Sequence, residues 1–359
     1  MKRVLYVTNL PAPYKIDFLN LLGKDTILTV LYERRGALDR NSRWFSGQCN
    51  AYKEVFLKGI PYGPDSSFAP EIVRYINRKD YDVVILNGYN SLTEIVAIIH
   101  MKLHRIKFGI CCDGMLPSSA SKWKSIIKHF LISSASFWLS SGTVTSDVLL
   151  QFGAKKNKIW WYPFSSILEK DIDKTKPDKD GYKKLIGCTK EKMILFVGQF
   201  IERKGIDILI NAFGMLDKSA RERFELRLVG NDTNNLGLAQ CEGVKIDGFK
   251  TKKELEDYYR AADLFILPTR EDIWGLVINE ALSFGLPVIT TQSCGAGLEM
   301  ISNGVNGFIV PSDDPDSIAD RIEQVLKLEC FDACIATAKK YSIEEMERYI
   351  LKCIEGQLN

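Results

Sequence analysis

Short apolar runs rich in β-branched residues alternate with amphipathic segments along this chain, and the alternation occurs twice. In the first half, strands are predicted at Val4–Thr8, Thr26–Tyr32, Val83–Leu86, Phe108–Cys112, Phe137–Ser141 and Ile159–Tyr162, with helices at Ile16–Leu22, Pro70–Asn77 and Leu92–Leu103. In the second, strands are predicted at Met193–Val197, Glu225–Val229, Val244–Asp247, Leu264–Leu267, Pro287–Thr290 and Gly307–Val310. Helices Ile206–Met215, Lys252–Ala261 and Leu276–Phe284 fall between them, and a last helix spans Ile343–Leu358. The strands are continuous apolar runs, as expected when both faces of a parallel sheet are covered. An α/β chain of two Rossmann-like, doubly wound domains facing across a cleft follows. At 359 residues the chain is long enough for both. The polar stretch Glu169–Asp180 marks the region of the boundary, which gives residues 1–165, with 341–359 crossing back, and residues 166–340.

Several classes are disfavoured. The N-terminal residues lack the apolar core and cleavage site of a secretory signal, and no run approaches the roughly 20 apolar residues of a membrane span. The nine cysteines are odd in number and scattered, which suits reduced thiols in a cytoplasmic protein. Cys330 and Cys334 lie one helical turn apart without a nearby histidine, so no metal site is expected. No G-x-G-x-x-G follows either leading strand, which argues against an NAD enzyme. Charge is uneven: residues 1–165 hold 22 Lys and Arg against 12 Asp and Glu, a surplus of +10, while the remainder stands at −7. The first domain is therefore expected to meet something anionic, such as a lipid diphosphate, a membrane surface or a charged glycan.

In open α/β sheets, ligands sit beyond the carboxyl ends of the strands. Two such places carry chemistry. After the strand Leu264–Leu267, a polar loop with Thr269, Glu271 and Asp272 leads to Gly275, which opens a helix with Leu276 and Val277 in its first turn. The first amides of a helix have no intrahelical acceptor and sit at its positive end, a place suited to phosphate. Glu280 lies about one turn inside, where a carboxylate can accept from ribose hydroxyls. After the strand Met193–Val197, Gly198 and Gln199 lead to Arg203 and Lys204 just before the next helix. Cations are poorly placed at a helix N-terminus, and an anion shared by the two loops would resolve the conflict.

Taken together, the two blocks resemble the donor half of family 4 retaining glycosyltransferases, of the bacterial surface-polysaccharide type, which have the GT-B fold. The resemblance runs from about Met193 to Val310 and includes Val244-Lys-Ile-Asp-Gly-Phe and Tyr258-Tyr-Arg-Ala-Ala-Asp-Leu-Phe-Ile-Leu-Pro. It implies that Lys204 binds the donor diphosphate, assisted by Thr269 and the amides around Gly275, Leu276 and Val277. It implies further that Glu280 holds the ribose, that Asp272 contacts the transferred sugar, and that the backbone near Phe249 and Lys250 meets the base. Two positions depart from the family pattern. The first acid of E-x7-E is Asp272, with Glu271 beside it as a substitute, and the arginine of V-G-R is Gln199, a loss for which Arg203 can compensate.

The first domain resembles the family less closely. Asn9-Leu-Pro-Ala-Pro-Tyr-Lys-Ile-Asp replaces the Gly-rich turn after the first strand, so that Tyr14, Lys15 and Asp17 face the cleft or cap the following helix. Where family members place a histidine, this chain has Asp113, just past Phe108–Cys112 and followed by Gly114. The basic, aromatic and apolar segment from Lys122 to Ile132 fits either a membrane interface or a Rossmann helix with its apolar face inward.

The resemblance implies a hexosyltransferase with Asp113, Asp272 and Lys204 as catalytic residues. It would move a sugar from a nucleoside diphosphate sugar, UDP-sugar first and GDP-sugar next, to a glycan or lipid-linked glycan with retention. No permanently bound cofactor, no metal and no nucleic-acid partner are expected. The enzyme would be cytoplasmic and peripheral at the inner face of the membrane. The alternatives are a non-catalytic GT-B partner subunit that binds nucleotide sugar and a GT-B-shaped sugar epimerase.

Overall fold

The computed structural model describes residues 1–36, 47–62, 66–117, 121–231 and 241–356. Its chain divides into two compact units, Met1–Ser165 with Ser342–Asn359, and Ser166–Tyr341. The first contains β1 (Lys2–Thr8), α1 (Pro13–Asp25), β2 (Thr26–Tyr32), β3 (Lys53–Phe56) and the hairpin strands β4 (Ile60–Tyr62) and β5 (Ser66–Phe68). It continues with β6 (Val83–Leu86), α2 (Leu92–Leu103), β7 (Gly109–Cys112), α3 (Lys122–Ser133), β8 (Phe137–Ser140), α4 (Thr143–Gln151) and β9 (Ile159–Trp161). The large sheet runs β3-β2-β1-β6-β7-β8-β9, and every pairing in it is parallel.

The second unit contains α5 (Lys179–Leu185), β10 (Lys192–Val197), α6 (Ile206–Met215), α7 (Lys218–Arg223), β11 (Phe224–Val229), β12 (Val244–Asp247) and α8 (Lys252–Ala261). After these come β13 (Leu264–Leu267), α9 (Leu276–Ser283), β14 (Val288–Thr291), α10 (Gly295–Met300), β15 (Gly307–Val310), α11 (Pro315–Leu326) and α12 (Phe331–Lys340). Its parallel sheet runs β12-β11-β10-β13-β14-β15. The last helix, α13 (Ile343–Gly356), packs on α1 of the first unit. Leu358, in the predicted end of that helix, lies outside the described residues.

In both sheets the strand order reverses at the first strand, between β1 and β6 and between β10 and β13. Such a switch point opens a crevice beyond the strand ends, because consecutive crossovers leave on opposite sides. The central strands are buried along their length, for example Val4 to Val7, Met193 to Phe196 and Leu264 to Leu267. Local signals start the helices. Ser91 and Glu94 form a capping box on α2, as Thr251 and Glu254 do on α8. Pro13 and Pro315 open α1 and α11, where a missing N–H costs nothing.

Two expectations change. Pro70–Asn77 forms only a short 3-10 turn, Pro70–Arg74. The polar stretch Glu169–Asp180 lies inside the second unit, where Arg260 binds Asp173 through two hydrogen bonds of 3.0 and 3.2 Å and Lys252 reaches Asp171 at 2.9 Å. Lys15, expected to face the cleft or cap the helix, is buried in the first unit, where it pairs with Asp113.

Candidate functional site

At the switch point of the second unit, β10 and β13 each end in a loop, and the two loops are tied together. Gly198 donates its N–H to Val229 at 3.0 Å, continuing the ladder by one residue. The chain then turns through Gln199 into a short 3-10 turn, Glu202–Lys204, that ends at Gly205 in the left-handed region with φ 67°. A Cβ at Gly205 would lie 2.1 Å from the carbonyl oxygen of Pro268, so only glycine allows this approach.

The carbonyl of Arg203 binds the second loop, accepting from the Arg270 N–H at 2.8 Å and from the Thr269 hydroxyl at 2.8 Å. The Arg203 guanidinium donates to the Glu271 carbonyl at 3.2 Å. Arg270 closes the clamp from outside by bridging Asp207 at 2.6 Å and Asp313 at 2.6 Å. Residues 203 and 269–272 are therefore held as one piece.

That clamp brings Lys204 onto Asp272 in a direct ion pair, with side chains only 12% and 10% exposed. Asp272 is further placed by its N–H, which donates to Ser293 at 2.9 Å, and by its carbonyl, which accepts from Gly295 at 3.1 Å. Glu271, the neighbouring acid, is exposed. Of the two acids, only Asp272 meets the lysine. Gly275, at φ 97°, turns the chain into α9. A Cβ there would lie 2.7 Å from Cys294 Sγ and 3.5 Å from Asp272 Oδ2, so the open end of the helix sits directly beside the ion pair. The N–H groups of Leu276 and Val277 have no intrahelical acceptor and carry the positive end of the helix dipole.

Glu280 follows on α9. Its Oε2 accepts from the Tyr259 hydroxyl at 2.9 Å, and its Oε1 accepts from the Ser166 hydroxyl at 3.5 Å. Burial pushes the Glu280 carboxyl above its ordinary range, against the opposing effect of the Tyr259 hydrogen bond. Asn279, next to it, accepts from the Ser166 N–H at 3.1 Å and donates to the Tyr341 carbonyl at 2.9 Å. The Phe249 N–H donates to Asn231 at 3.0 Å beyond the ends of β11 and β12, and Lys250 lies 5.8 Å over the Tyr258 ring. Ser166, Tyr259 and Asn279 were not singled out from the sequence. Their partners lie 113, 21 and 62 residues away, beyond the reach of local pattern.

Asp113 belongs to the first unit, where it follows β7. Its Oδ2 accepts from Lys15 at 2.8 Å and its Oδ1 from the Tyr162 hydroxyl at 2.7 Å. The Lys15 ammonium is enclosed by the rings of Phe164, Tyr14 and Tyr6, at 5.4, 5.6 and 6.0 Å. Burial is the strongest single influence and opposes its charge, but Asp113 together with Tyr14 and Cys111 outweighs it and holds the ammonium above its ordinary range. The carboxylate is thus placed from two sides by α1 and by the segment after β9.

The comparisons with known proteins bear on this geometry. The model of a family described as glycosyl transferases group 1 matches residues 181–344, the span that holds both loops and α9. An uncharacterized 41.2 kDa protein in the cps region of Klebsiella pneumoniae is 32% identical over 268 residues, covering 71% of this chain and 72% of that protein.

The chain belongs to the group 1 glycosyl transferases.

The capsular polysaccharide biosynthesis glycosyltransferase CapM of Staphylococcus aureus is 31% identical over 188 residues, 49% of this chain and 48% of that one. The chain thus spans about half the length of CapM, as it does of the Methanocaldococcus jannaschii glycosyltransferase MJ1607, at 47%. Among solved structures, Anabaena HepE in complex with UDP superposes with a TM-score of 0.77 at 17% identity, over 99% of this chain and 100% of that one. This likeness shows the GT-B fold of two Rossmann-like domains.

Proposed function

We propose that this group 1 glycosyl transferase is a retaining, family 4 hexosyltransferase that takes a nucleoside diphosphate sugar in its second unit. The observation that carries the reading is the seating of Lys204 and Asp272 against the open N-terminus of α9, with Glu280 about one turn further along. The donor diphosphate would lie on Lys204, Thr269 and the amides of Gly275, Leu276 and Val277. Glu280 would accept from the ribose hydroxyls, Gly198 and Gln199 would line the diphosphate, and the backbone at Phe249 and Lys250 would meet the base. We favour a UDP-sugar, with a GDP-sugar next, because HepE is seen with UDP and with UDP-glucose.

In the reaction, the bond between the anomeric carbon and the diphosphate oxygen breaks, and negative charge develops on the leaving group. Lys204 and the α9 amides would stabilise that charge, while Arg203 braces the loop through the Glu271 carbonyl. The leaving phosphate takes the proton of the acceptor hydroxyl, whose oxygen bonds the anomeric carbon on the face just vacated. Asp272 would orient the transferred sugar. Asp113, held by Lys15 and Tyr162, would orient the sugar or the acceptor rather than act as a nucleophile.

A surface glycan or lipid-linked glycan is the acceptor we infer, in keeping with the capsule and lipopolysaccharide enzymes among the relatives, CapM and the Escherichia coli glucosyltransferase WaaG. We place the enzyme in the cytoplasm, peripheral to the inner face of its membrane, and none of the nine cysteines is in a disulfide, as suits a reducing compartment. No helix among the described residues is long and apolar enough to cross a membrane.

Gln199, in place of the arginine expected in the family, favours one second reading, a non-catalytic subunit that still binds nucleotide sugar. A thermal-shift panel of UDP, GDP, ADP, CMP and NAD on wild type and Glu280→Ala tests the donor site. A ligand at about 100 times its Kd adds roughly 2.7 kcal/mol of stability. Stabilisation by one nucleoside diphosphate that Glu280→Ala abolishes is expected, and silence of the whole panel would sink the reading. Sugar transfer or donor hydrolysis by the purified chain separates the enzyme from the non-catalytic subunit.

A further inference from the structure

Helix α3 is amphipathic, but its apolar stripe faces solvent. Trp123, Ile126, Ile127 and Phe130 are 77%, 59%, 55% and 42% exposed. Their spacing of i, i+3, i+4 and i+7 puts all four on one side of the helix. The core takes a different side, through Leu131 and Ile132. A Rossmann helix normally buries its apolar stripe; of the two arrangements the sequence left open, α3 takes the one with the stripe outward.

The surroundings of the stripe are basic. At about 100° per residue, Lys122 and Lys124 stand roughly a quarter-turn to either side of it. Both are exposed. Lys102, from the neighbouring α2, lies 4.3 Å over the Phe130 ring and donates to Ser134 at 3.0 Å. Between Glu94 and Asp147 the sequence holds five lysines and one arginine against a single acid, Asp113, which is itself neutralised by Lys15.

We propose that α3 is a membrane-docking helix that lies in the interface of an anionic lipid bilayer, with Trp123, Ile126, Ile127 and Phe130 inserted between headgroups. Lys122 and Lys124 extend their charged ends from the flanks to lipid phosphates, their stems covering the edge of the apolar stripe. The aromatic residue sits at the first turn, where its ring occupies the headgroup level. Apolar burial supplies the grip and the lysines supply selectivity for anionic lipid. A protein partner of opposite charge would need acidic groups around an apolar groove. A bilayer offers both the extended apolar phase and the dense negative charge that this one helix face matches, without any matching contour.

The inference deepens the peripheral-membrane part of the proposed function, and its test reads lipid binding without reference to sugar transfer. The full chain is floated with vesicles of phosphatidylcholine alone and of phosphatidylcholine with about one-third phosphatidylglycerol. Wild type is expected to float with the anionic vesicles and to stay behind with the neutral ones. Ile126→Glu combined with Ile127→Glu should weaken binding by about ten-fold or more, and Lys122→Glu with Lys124→Glu should remove the preference for anionic lipid. All four side chains are exposed, so the variants should keep the wild-type melting temperature and nucleotide response, which separates a lipid defect from misfolding or from failure of the donor site. Wild type that fails to float, or stripe variants that float as well as wild type, would overturn the proposal. So would sedimentation showing a wild-type dimer that the stripe variants convert to monomer in the absence of vesicle binding, which would make a second copy of the chain the occupant.

Discussion

Lys204 and Asp272 neutralise one another across 68 residues of sequence, in contact and almost out of water. An isolated buried charge is costly, so each side chain stabilises the other. In the proposed donor site the pair would hold the charge until a diphosphate competes for the lysine.

Asp272→Asn should therefore lower the melting temperature of the free protein, because it leaves the ammonium uncompensated, by about 3 kcal/mol of stability. A nucleoside diphosphate should restore more stability to this variant than to wild type, while sugar transfer falls on the order of 100-fold. Calorimetric titration with UDP and a transfer assay read both effects. Weaker UDP binding in Asp272→Asn would mean that the carboxylate organises the lysine rather than competing with the phosphate.

Gly205→Ala should damage the same site from behind. The added Cβ meets the Pro268 carbonyl at 2.1 Å, and the backbone must hold φ 67°. We expect a loss of roughly 1–3 kcal/mol together with weaker nucleotide binding. Gly214→Ala, with nothing within 4 Å of the new carbon, serves as the neutral comparison.

In the first unit, Lys15→Met should cost about 3–5 kcal/mol by stranding Asp113, and Asp113→Asn should cost a comparable amount by stranding Lys15. The double variant should be more stable than the sum of the two losses predicts, since both charges leave together. Denaturant melts of the three variants complete the cycle. Additive losses would show that the two side chains act independently.

Glu33 and Glu94 predict a pH dependence. Both are buried near Ser91, whose hydroxyl donates to Glu33 at 2.8 Å and accepts from the Glu94 N–H at 3.0 Å. Burial pushes Glu33 up to about 7 and, with the nearby Glu33, Glu94 up to about 8. Raised carboxyl values favour the protonated fold, so stability is fully present below the ordinary value of 4.5 and is lost as pH rises through 7 to 8. The loss should be on the order of 2–4 kcal/mol. Glu33→Gln should make the fall in melting temperature across that window shallower, leaving the part due to the burial of Glu94, and an equally steep fall in the variant would refute the assignment.

Much of this protein was legible because its strands are buried on both faces. Val83–Leu86 and Leu264–Leu267, buried at every position, have the bounds expected from their apolar runs. The mixed edge strand Lys53–Phe56 was not recognised, because half-exposed residues leave no such run. Pro70–Asn77 read as a helix because proline at the start and apolar spacing mimic one, yet only the turn Pro70–Arg74 forms. The loops after β10 and β13 were recognisable as a set, since glycines and charges stand directly after strands. Arg203, expected to fold inward and replace the missing arginine at Gln199, instead has an exposed side chain that holds the Glu271 carbonyl.

Sequence alone determined the central strands, the helices Leu92–Leu103, Ile206–Met215 and Lys252–Ala261 between them, the glycines at the two turns, and the presence of Lys204, Asp272 and Glu280 after the second unit's strands. These follow from periodicity and backbone preference, which act over a few residues. Only the tertiary structure decided that Lys204 meets Asp272, that Lys15 is buried against Asp113, and that the stripe of α3 points outward. Periodicity says which side chains share a face of a helix. Packing against the rest of the chain decides where that face is turned.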